Sequence, residues 1–227
     1  MNNLVIIPAR GGSKRIPYKN IKDFNGKPIL AYVIQAVKVT DLFEEIIVST
    51  DDTLVAEVAK EFGANVPFLR SNKNSDDHAT LADVLIEVIQ QYKELGKTFD
   101  NICCILPTAA LVTTEKIQEG FDLLKKNKVY SVVPVIKFAS PIQRALKVEK
   151  DLLVLRETKH IISRSQDLED HYHDSGQFYW LNTEEFLKEK KIFTSKTGYI
   201  ELKENEAQDV DTPEDWKMLE LKFNFKK

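Results

Sequence analysis

The sequence predicts a three-layer α/β domain built on a mostly parallel sheet. Short β-rich apolar runs at 4–8, 46–49, 66–69, 102–106 and 130–135 alternate with helix-periodic stretches. The runs are apolar at nearly every position, as strands are when helices cover both faces of a sheet. A chain of 227 residues, 43% apolar and 30% charged with only 8 Gly and 8 Pro, can bury roughly 70% of its unfolded surface in one domain.

Each element follows from a local signal. The first strand, 4–8, is a continuous apolar run ending in Pro8. Pro28, after Gly26-Lys27, opens a helix whose apolar face is Leu30, Val33, Ile34 and Val37. A second strand at 46–49 ends in the acids Asp51-Asp52, which suit either a ribose contact or the cap of the next helix. A strand at 66–69 precedes the helix face Val84, Leu85, Val88, Ile89 and Tyr92. The run 102–106 holds the only cysteines, adjacent Cys103 and Cys104, and reads as a buried strand and not as a disulfide framework. Thr113 and Thr114 start a helix, 130–135 is a strand, and 176–181 returns as a strand in which Phe178, Tyr179 and Trp180 divide between core and pocket. Thr212-Pro213-Glu214-Asp215 is a helix entry, and the tail 219–227 packs as a helix end. Between Lys137 and Asp174 the alternation breaks, so 137–174 is expected to leave the sheet as a small arm within a single domain, 1–227.

Several function classes are excluded. A net charge of −3 gives no global cationic field for nucleic acid or anionic lipid. No apolar run approaches the roughly 20 residues of a membrane helix, and Met1-Asn2-Asn3 lacks the features of a signal peptide, so the expected location is cytoplasmic.

The loop after the first strand carries the chemistry. Between Met1 and Lys22 stand Arg10, Lys14, Arg15, Lys19 and Lys22 and no acid. Gly11-Gly12 let backbone N–H groups approach a ligand, and Ser13 adds a hydroxyl. Placed at the carboxyl end of a first strand, these donors suit a polyphosphate of about four negative charges better than a solvated turn. A P-loop frame is absent, since Lys14 follows Gly-Gly-Ser, and a dinucleotide fingerprint is absent, since the next helix begins only near Pro28. A long basic loop wrapped around a triphosphate remains.

Asp209 and Asp211 alternate, so in an extended segment both carboxylates face the same side. They suit a hard cation such as Mg²⁺ riding on a nucleoside triphosphate, or acids complementing the helix that Pro213 begins.

The stretch Pro8-Ala9-Arg10-Gly11-Gly12-Ser13-Lys14-Arg15-Ile16-Pro17 with Lys19-Asn20 resembles the opening of the sugar-acid cytidylyltransferases, the CMP-sialic acid synthetase family. The resemblance continues through Ile47-Val48-Ser49-Thr50-Asp51, Arg70 with Ser75-Asp76-Asp77, and Leu106-Pro107-Thr108, and closes at Asp209-Val210-Asp211-Thr212. A second signature, Arg164-Ser165-Gln166-Asp167-Leu168 with Tyr172-His173-Asp174-Ser175-Gly176-Gln177-Phe178-Tyr179-Trp180, is similar to the branch that activates pseudaminic acid. Leu106 and Val112 replace the Gln and Arg of the sialic acid branch, and Gln143 replaces its substrate-facing Lys, as a different nine-carbon sugar acid requires.

The resemblance implies a Rossmann-like nucleotide-diphospho-sugar transferase fold, with a mixed sheet, one reversed strand and a dimerisation arm. It implies transfer of CMP from CTP to the anomeric hydroxyl of pseudaminic acid, with Mg²⁺ on Asp209 and Asp211 and with no nucleic acid or membrane partner. Arg10, Gly11, Ser13, Lys19, Asn20, Arg70 and Thr108 are the expected nucleotide contacts, with Lys19 nearest the transferring group. Arg10, Lys19 and Asp211 are the expected catalytic residues, with Asp211 or a metal-bound hydroxide accepting the proton. Gln143, Arg164, Gln177 and Tyr179 are the expected sugar contacts, and a homodimer would complete each sugar site through the arm. His171 and His173, for which His160 is the near candidate as a third zinc ligand, suit a polar substrate wall or a surface loop better than zinc, and His173, beside the Gly-Gln-Phe-Tyr strand, suits a sugar contact. Alternatives are another sugar acid (legionaminic, neuraminic or ketodeoxyoctonic), a non-catalytic nucleotide-binding regulator, or a dinucleotide-dependent oxidoreductase.

Overall fold

The computed structural model describes residues 1–126 and 128–225. In chain order its elements are β1 (Asn3–Pro8), β2 (Asp23–Phe24), β3 (Lys27–Pro28), α1 (Ile29–Val39), β4 (Glu45–Ser49), α2 (Thr53–Glu61), α3 (Leu81–Glu94), β5 (Asn101–Ile105) and α4 (Thr114–Lys126). They continue with β6 (Ser131–Lys137), β7 (Leu146–Glu149), β8 (Leu152–Leu155), β9 (Tyr172–Asp174), β10 (Phe178–Asn182), α5 (Thr183–Glu189), β11 (Thr197–Leu202) and α6 (Pro213–Phe225).

The main sheet runs β11-β6-β10-β5-β1-β4, with β9 paired to β6. Strands β4, β1 and β5 are mutually parallel, as are β6 and β11, while β10 runs antiparallel to both β5 and β6. The sheet is therefore mixed, with β10 as the reversed long strand and β9 as a second, three-residue one.

Period-two alternation divides the strands between two cores. Val5, Ile7, Val48, Cys103, Ile105, Phe178 and Trp180 face one side, where α1, α2 and α4 cover them. Leu4, Ile6, Ile47, Cys104, Tyr179 and Leu181 face the other, against Leu85, Val88 and Tyr92 of α3 and Phe186 of α5. A third cluster joins Ile16 and Phe24 of the first loop to Ile29, Ala110, Leu111, Val210, Trp216 and Leu219, and forms the base on which the cleft rests.

Two expectations need correction. Residues 66–69 are not a strand: Asn65 makes a single bridge to Ile47, and Pro67 has no N–H with which to extend the ladder. Phe178, Tyr179 and Trp180 are all buried, so none of the three is divided between core and open pocket. The elements β11 and α5 carried no strong periodic signal and emerge only in the fold. The expected tail is helical through Phe225, with Leu219 buried and Phe223 packed edge-on against Phe24 and Tyr32, and Lys226 and Lys227 lie outside the described residues.

Beyond β6 the chain leaves the sheet, forms the β7–β8 hairpin, and returns at β9. The hairpin exposes Leu146, Val148, Leu152 and Leu153, and the turns after it expose Ile161 and Ile162.

Gly120 in α4 lies against Trp180, whose indole N–H donates to the Ile117 carbonyl at 3.0 Å. A Cβ on Gly120 would come within 2.8 Å of the Trp180 ring and 3.1 Å of the Phe178 ring. Both rings are fully buried and cannot swing aside. Gly120→Ala is expected to destabilise the fold by about 1–3 kcal/mol through overpacking, against the gain of up to about 1 kcal/mol that alanine brings to an open helix position. A lower urea midpoint at unchanged slope would show it; a raised midpoint would refute the packing account.

Candidate active site

Parallel strands deliver their carboxyl ends to one edge of the sheet, where ligands bind in open α/β folds. The loop after β1, the turn Leu106-Pro107-Thr108 after β5, and the segment before α6 meet there around a cleft of about 440 Å³. Arg10, Ser13, Lys14, Arg15, Lys19 and Asn20 line one wall, and Asp209 and Asp211 line the other.

The acidic wall is set by one apolar side chain. Val210 is fully buried in the third core cluster, so the carboxylates on either side of it turn away from the core and into the cleft. Asp215, at the start of α6, accepts hydrogen bonds from the N–H groups of Asp211 (3.1 Å) and Thr212 (2.8 Å), and Thr212 Oγ1 accepts from the Asp215 N–H. This reciprocal cap fixes where the Asp209-Val210-Asp211 segment ends. Burial, and then the neighbouring Asp211, hold the Asp209 carboxyl above its ordinary pKa.

The basic wall is paired with acids at both ends. Arg15 Nη2 lies 2.8 Å from Asp211, and Lys19 Nζ lies 3.8 Å from the same carboxylate while donating to the Val210 carbonyl. Burial pulls the Lys19 ammonium below its ordinary pKa, with Asp211 and Asp209 opposing the shift. At the other end, Arg10 Nη1 donates to Asp77 at 2.9 Å and to the Asp76 carbonyl at 3.1 Å, and Lys14 Nζ also bonds Asp77. The hydrogen bonds from Lys14 and then Arg10 hold Asp77 below the usual carboxylate range.

The cleft thus brings together Arg10, Ser13, Lys19, Asn20, Thr108, Asp209 and Asp211 of the expected residues. Gly11 stands behind them: its N–H donates to Asp51 at 3.0 Å and is not free for a phosphate. Its small size still matters, because a Cβ there would lie 2.4 Å from Asp52 Oδ2. Asp52 caps α2 by accepting from the Leu54 and Val55 N–H groups, which assigns Asp51 to loop support and Asp52 to the cap.

Arg70 is buried and lies outside the cleft lining; its guanidinium donates to Ser49 Oγ at 3.0 Å and to the Ser49 carbonyl. Burial lowers its pKa, opposed by Asp51 and Glu87. Lys22 also turns away, its ammonium 4.6 Å from the centre of the Trp216 ring.

The four expected sugar contacts do not line this cleft. Gln177 is buried and donates to the Glu206 carbonyl at 2.6 Å. The Tyr179 hydroxyl donates to Asp174 at 2.7 Å, and burial first, then Asp174, raises its pKa. Gln143 lies in the arm, beside a separate cavity of about 420 Å³ that His160 and His171 also line. Arg164 is exposed at the start of a short turn. His173 packs on Phe138, with ring centres 4.9 Å apart.

Asn20 donates to the Arg10 carbonyl at 2.9 Å, while its buried Oδ1 has no partner among the described residues. Such an acceptor calls for a donor from a ligand or water. Among the described residues no three His, Cys, Asp or Glu side chains group as a metal cage would need. Two carboxylates without a third protein ligand, one of them desolvated, fit an ion that takes its other ligands from phosphate and water. Asp77 and Asp174 were given no role of their own by the sequence, since each acts through partners that only the fold brings to it, Arg10 and Lys14 for Asp77 and Tyr179 for Asp174.

Known proteins share this arrangement in sequence or in fold. The chain is 37% identical to the pseudaminic acid cytidylyltransferase of Campylobacter jejuni subsp. jejuni serotype O:2, over 98% of this chain and 97% of that protein. It is 31% identical to the CMP-N,N'-diacetyllegionaminic acid synthase of Legionella pneumophila, over 97% of this chain and 95% of that one. Its fold is similar to that of a CMP:2-keto-3-deoxy-manno-octonic acid synthetase complexed with CTP, at a TM-score of 0.74 and 16% identity, with both chains covered completely. The family model described as cytidylyltransferase matches residues 4–223, and on that match this chain belongs to the cytidylyltransferase family.

Proposed function

We propose that this chain transfers CMP from CTP to the anomeric hydroxyl of pseudaminic acid and releases pyrophosphate. The observation that carries the reading is the contact of Arg15 with Asp211, 196 positions apart in the chain and 2.8 Å apart in the cleft. It supports reading the basic side chains as a triphosphate wall and the acidic pair as a metal wall of one cleft. The 37% identity to a pseudaminic acid cytidylyltransferase over nearly the whole chain supports the sugar.

In this reaction the sugar oxygen bonds to the α-phosphorus, the bond from that phosphorus to the bridging oxygen breaks, and pyrophosphate leaves. The sugar hydroxyl gives up its proton, and Asp211 is the proposed acceptor. Arg10, Lys14, Arg15 and Lys19 hold the phosphates, and Ser13 adds a hydroxyl donor. Lys19, the most enclosed of these cations, donates to the Val210 carbonyl between the two aspartates and stabilises charge developing on the transferred group. The unpaired Oδ1 of Asn20 accepts from a donor on the nucleotide, and Arg70 braces the cleft edge through Ser49. Asp209 and Asp211 would hold Mg²⁺ brought by the triphosphate, which neutralises phosphate charge and orients the groups for in-line displacement.

Gln143 and Arg164 belong to the arm, and in our reading they serve the cleft of a second copy. Among the described residues of 138–171 every apolar side chain keeps some exposure, and a lone two-stranded hairpin is only marginally stable in water. Exposed Leu146, Val148, Leu152, Leu153, Ile161 and Ile162 form the apolar surface through which a homodimer would pair. No helix among the described residues is long and apolar enough to cross a membrane. Buried, unpaired Cys103 and Cys104 suit the reducing cytoplasm, where we place the protein.

With CTP and a panel of pseudaminic, legionaminic, neuraminic and ketodeoxyoctonic acids, pyrophosphate release is expected to be fastest with pseudaminic acid. Faster turnover of another acid would reassign the substrate, and CTP binding with no release on any would favour a non-catalytic nucleotide-binding protein. Lys19→Met is expected to cut kcat/KM for CTP by about 100-fold or more, with the fold intact by circular dichroism. Leu153→Asp combined with Ile162→Asp is expected to yield monomers by sedimentation velocity and to raise KM for the sugar acid more than KM for CTP. An unchanged oligomer would remove the arm from the interface.

A further inference from the structure

Tyr179 and Gln177 carry polar groups that the cleft does not use: Tyr179 braces the turn that joins β9 to β10, and Gln177 ties that turn to Glu206. The Tyr179 hydroxyl donates to Asp174 Oδ2 at 2.7 Å. The Gly176 N–H donates to Asp174 Oδ1 at 2.9 Å, so both oxygens of this carboxylate are engaged within the β9–β10 segment. The turn is tied down on either side: Ser175 N–H donates to the Pro134 carbonyl at 3.1 Å, and Leu106 N–H donates to the Gln177 carbonyl at 2.8 Å.

The result bears on the cleft because of what the turn touches. Gly176 has φ +65°, and a Cβ built on it would lie 3.2 Å from both Cβ and Cγ of Asp209 and 3.4 Å from Oδ1. One residue on, Gln177 Nε2 donates to the Glu206 carbonyl at 2.6 Å, three positions before Asp209. The turn therefore grips the segment entering the acidic pair at two points: a side-chain hydrogen bond upstream and a backbone surface against the carboxylate itself.

We propose that Asp174 is a positioning residue for Asp209. Clasped by Tyr179 and by the Gly176 amide, it locks the turn whose glycine surface sets the direction of the Asp209 carboxylate toward the divalent ion. Tyr179 and Gln177 act through this support and touch neither sugar nor nucleotide. Metal sites depend on such outer contacts, whose removal lowers metal affinity about 10- to 100-fold. Gly176 is required twice, for its positive φ and for the absent Cβ.

The inference rests on the assignment of Asp209 and Asp211 as the metal pair. Its test uses the full chain with CTP and Mn²⁺ as the paramagnetic probe, with bound Mn²⁺ read by electron paramagnetic resonance and folding checked by thermal midpoint. Tyr179→Phe removes one oxygen and keeps the buried ring; Gly176→Ala places a methyl group against Asp209. Each is expected to weaken Mn²⁺ binding in the CTP complex about tenfold or more, while KM for the sugar acid stays within about twofold in Tyr179→Phe. Mn²⁺ affinity within about threefold of wild type in both variants overturns the proposal, whatever the sugar KM does. A raised sugar KM at unchanged Mn²⁺ affinity would return Tyr179 to the substrate wall. Wild-type protein that binds no Mn²⁺ with CTP, or Asp209→Ala that binds it as wild type does, would instead overturn the metal assignment and the inference with it.

Discussion

Four cations from one loop cannot crowd a cleft unless something opposes their repulsion. Asp77 takes Arg10 and Lys14, and Asp211 takes Arg15 and Lys19, so the basic wall is held open from both ends. These pairs are weak by design of their setting: most of the side chains are a third or more exposed, and ion pairs in water contribute roughly 0–1 kcal/mol each. A triphosphate presents more negative charge than either carboxylate does. In the proposed reaction it would therefore exchange into the cation set at little cost, the cations already lining the cleft.

The acids that release those cations differ in what they do next. Asp77 lies on an exposed loop before α3 and is held in the cleft by Arg10 and Lys14. Asp211 is anchored by the buried Val210 and the Thr212–Asp215 cap, so once its cations turn to phosphate its carboxylate stays beside Asp209. Two adjacent carboxylates, one of them desolvated, then favour a divalent ion. In the proposed reaction the same wall would serve as counter-ion before the nucleotide arrives and as metal ligand after it.

Sheet topology explains why distant segments meet there. Parallel β1, β4 and β5 deliver their carboxyl ends to one edge, which brings together the basic loop, the Ser49–Asp52 corner and Leu106-Pro107-Thr108. Antiparallel β10 lies beside β5 and so presents its amino end to that edge. This places the Asp174–Gln177 turn against Asp209, a contact that a uniformly parallel sheet would not make.

Local chemistry made much of this legible. Apolar runs located β1, β4, β5 and β6, alternation turned Asp209 and Asp211 to one side, and an acid-free stretch of cations marked the basic wall of the cleft. Other features lay beyond it. Pro67 cancelled a strand that apolarity alone suggested, because ladder pairing depends on N–H groups as well as on hydrophobicity. Gly11 looked like a phosphate donor until Asp51 took its N–H, and Tyr179 and Gln177 looked like sugar contacts until burial gave their polar atoms to Asp174 and Glu206. The sequence by itself determined which side chains can carry phosphate and metal chemistry, since charge and alternation are local properties. Tertiary structure alone decided which of them face the cleft and which support it, since a hydrogen-bond partner many positions away is chosen by how the chain packs.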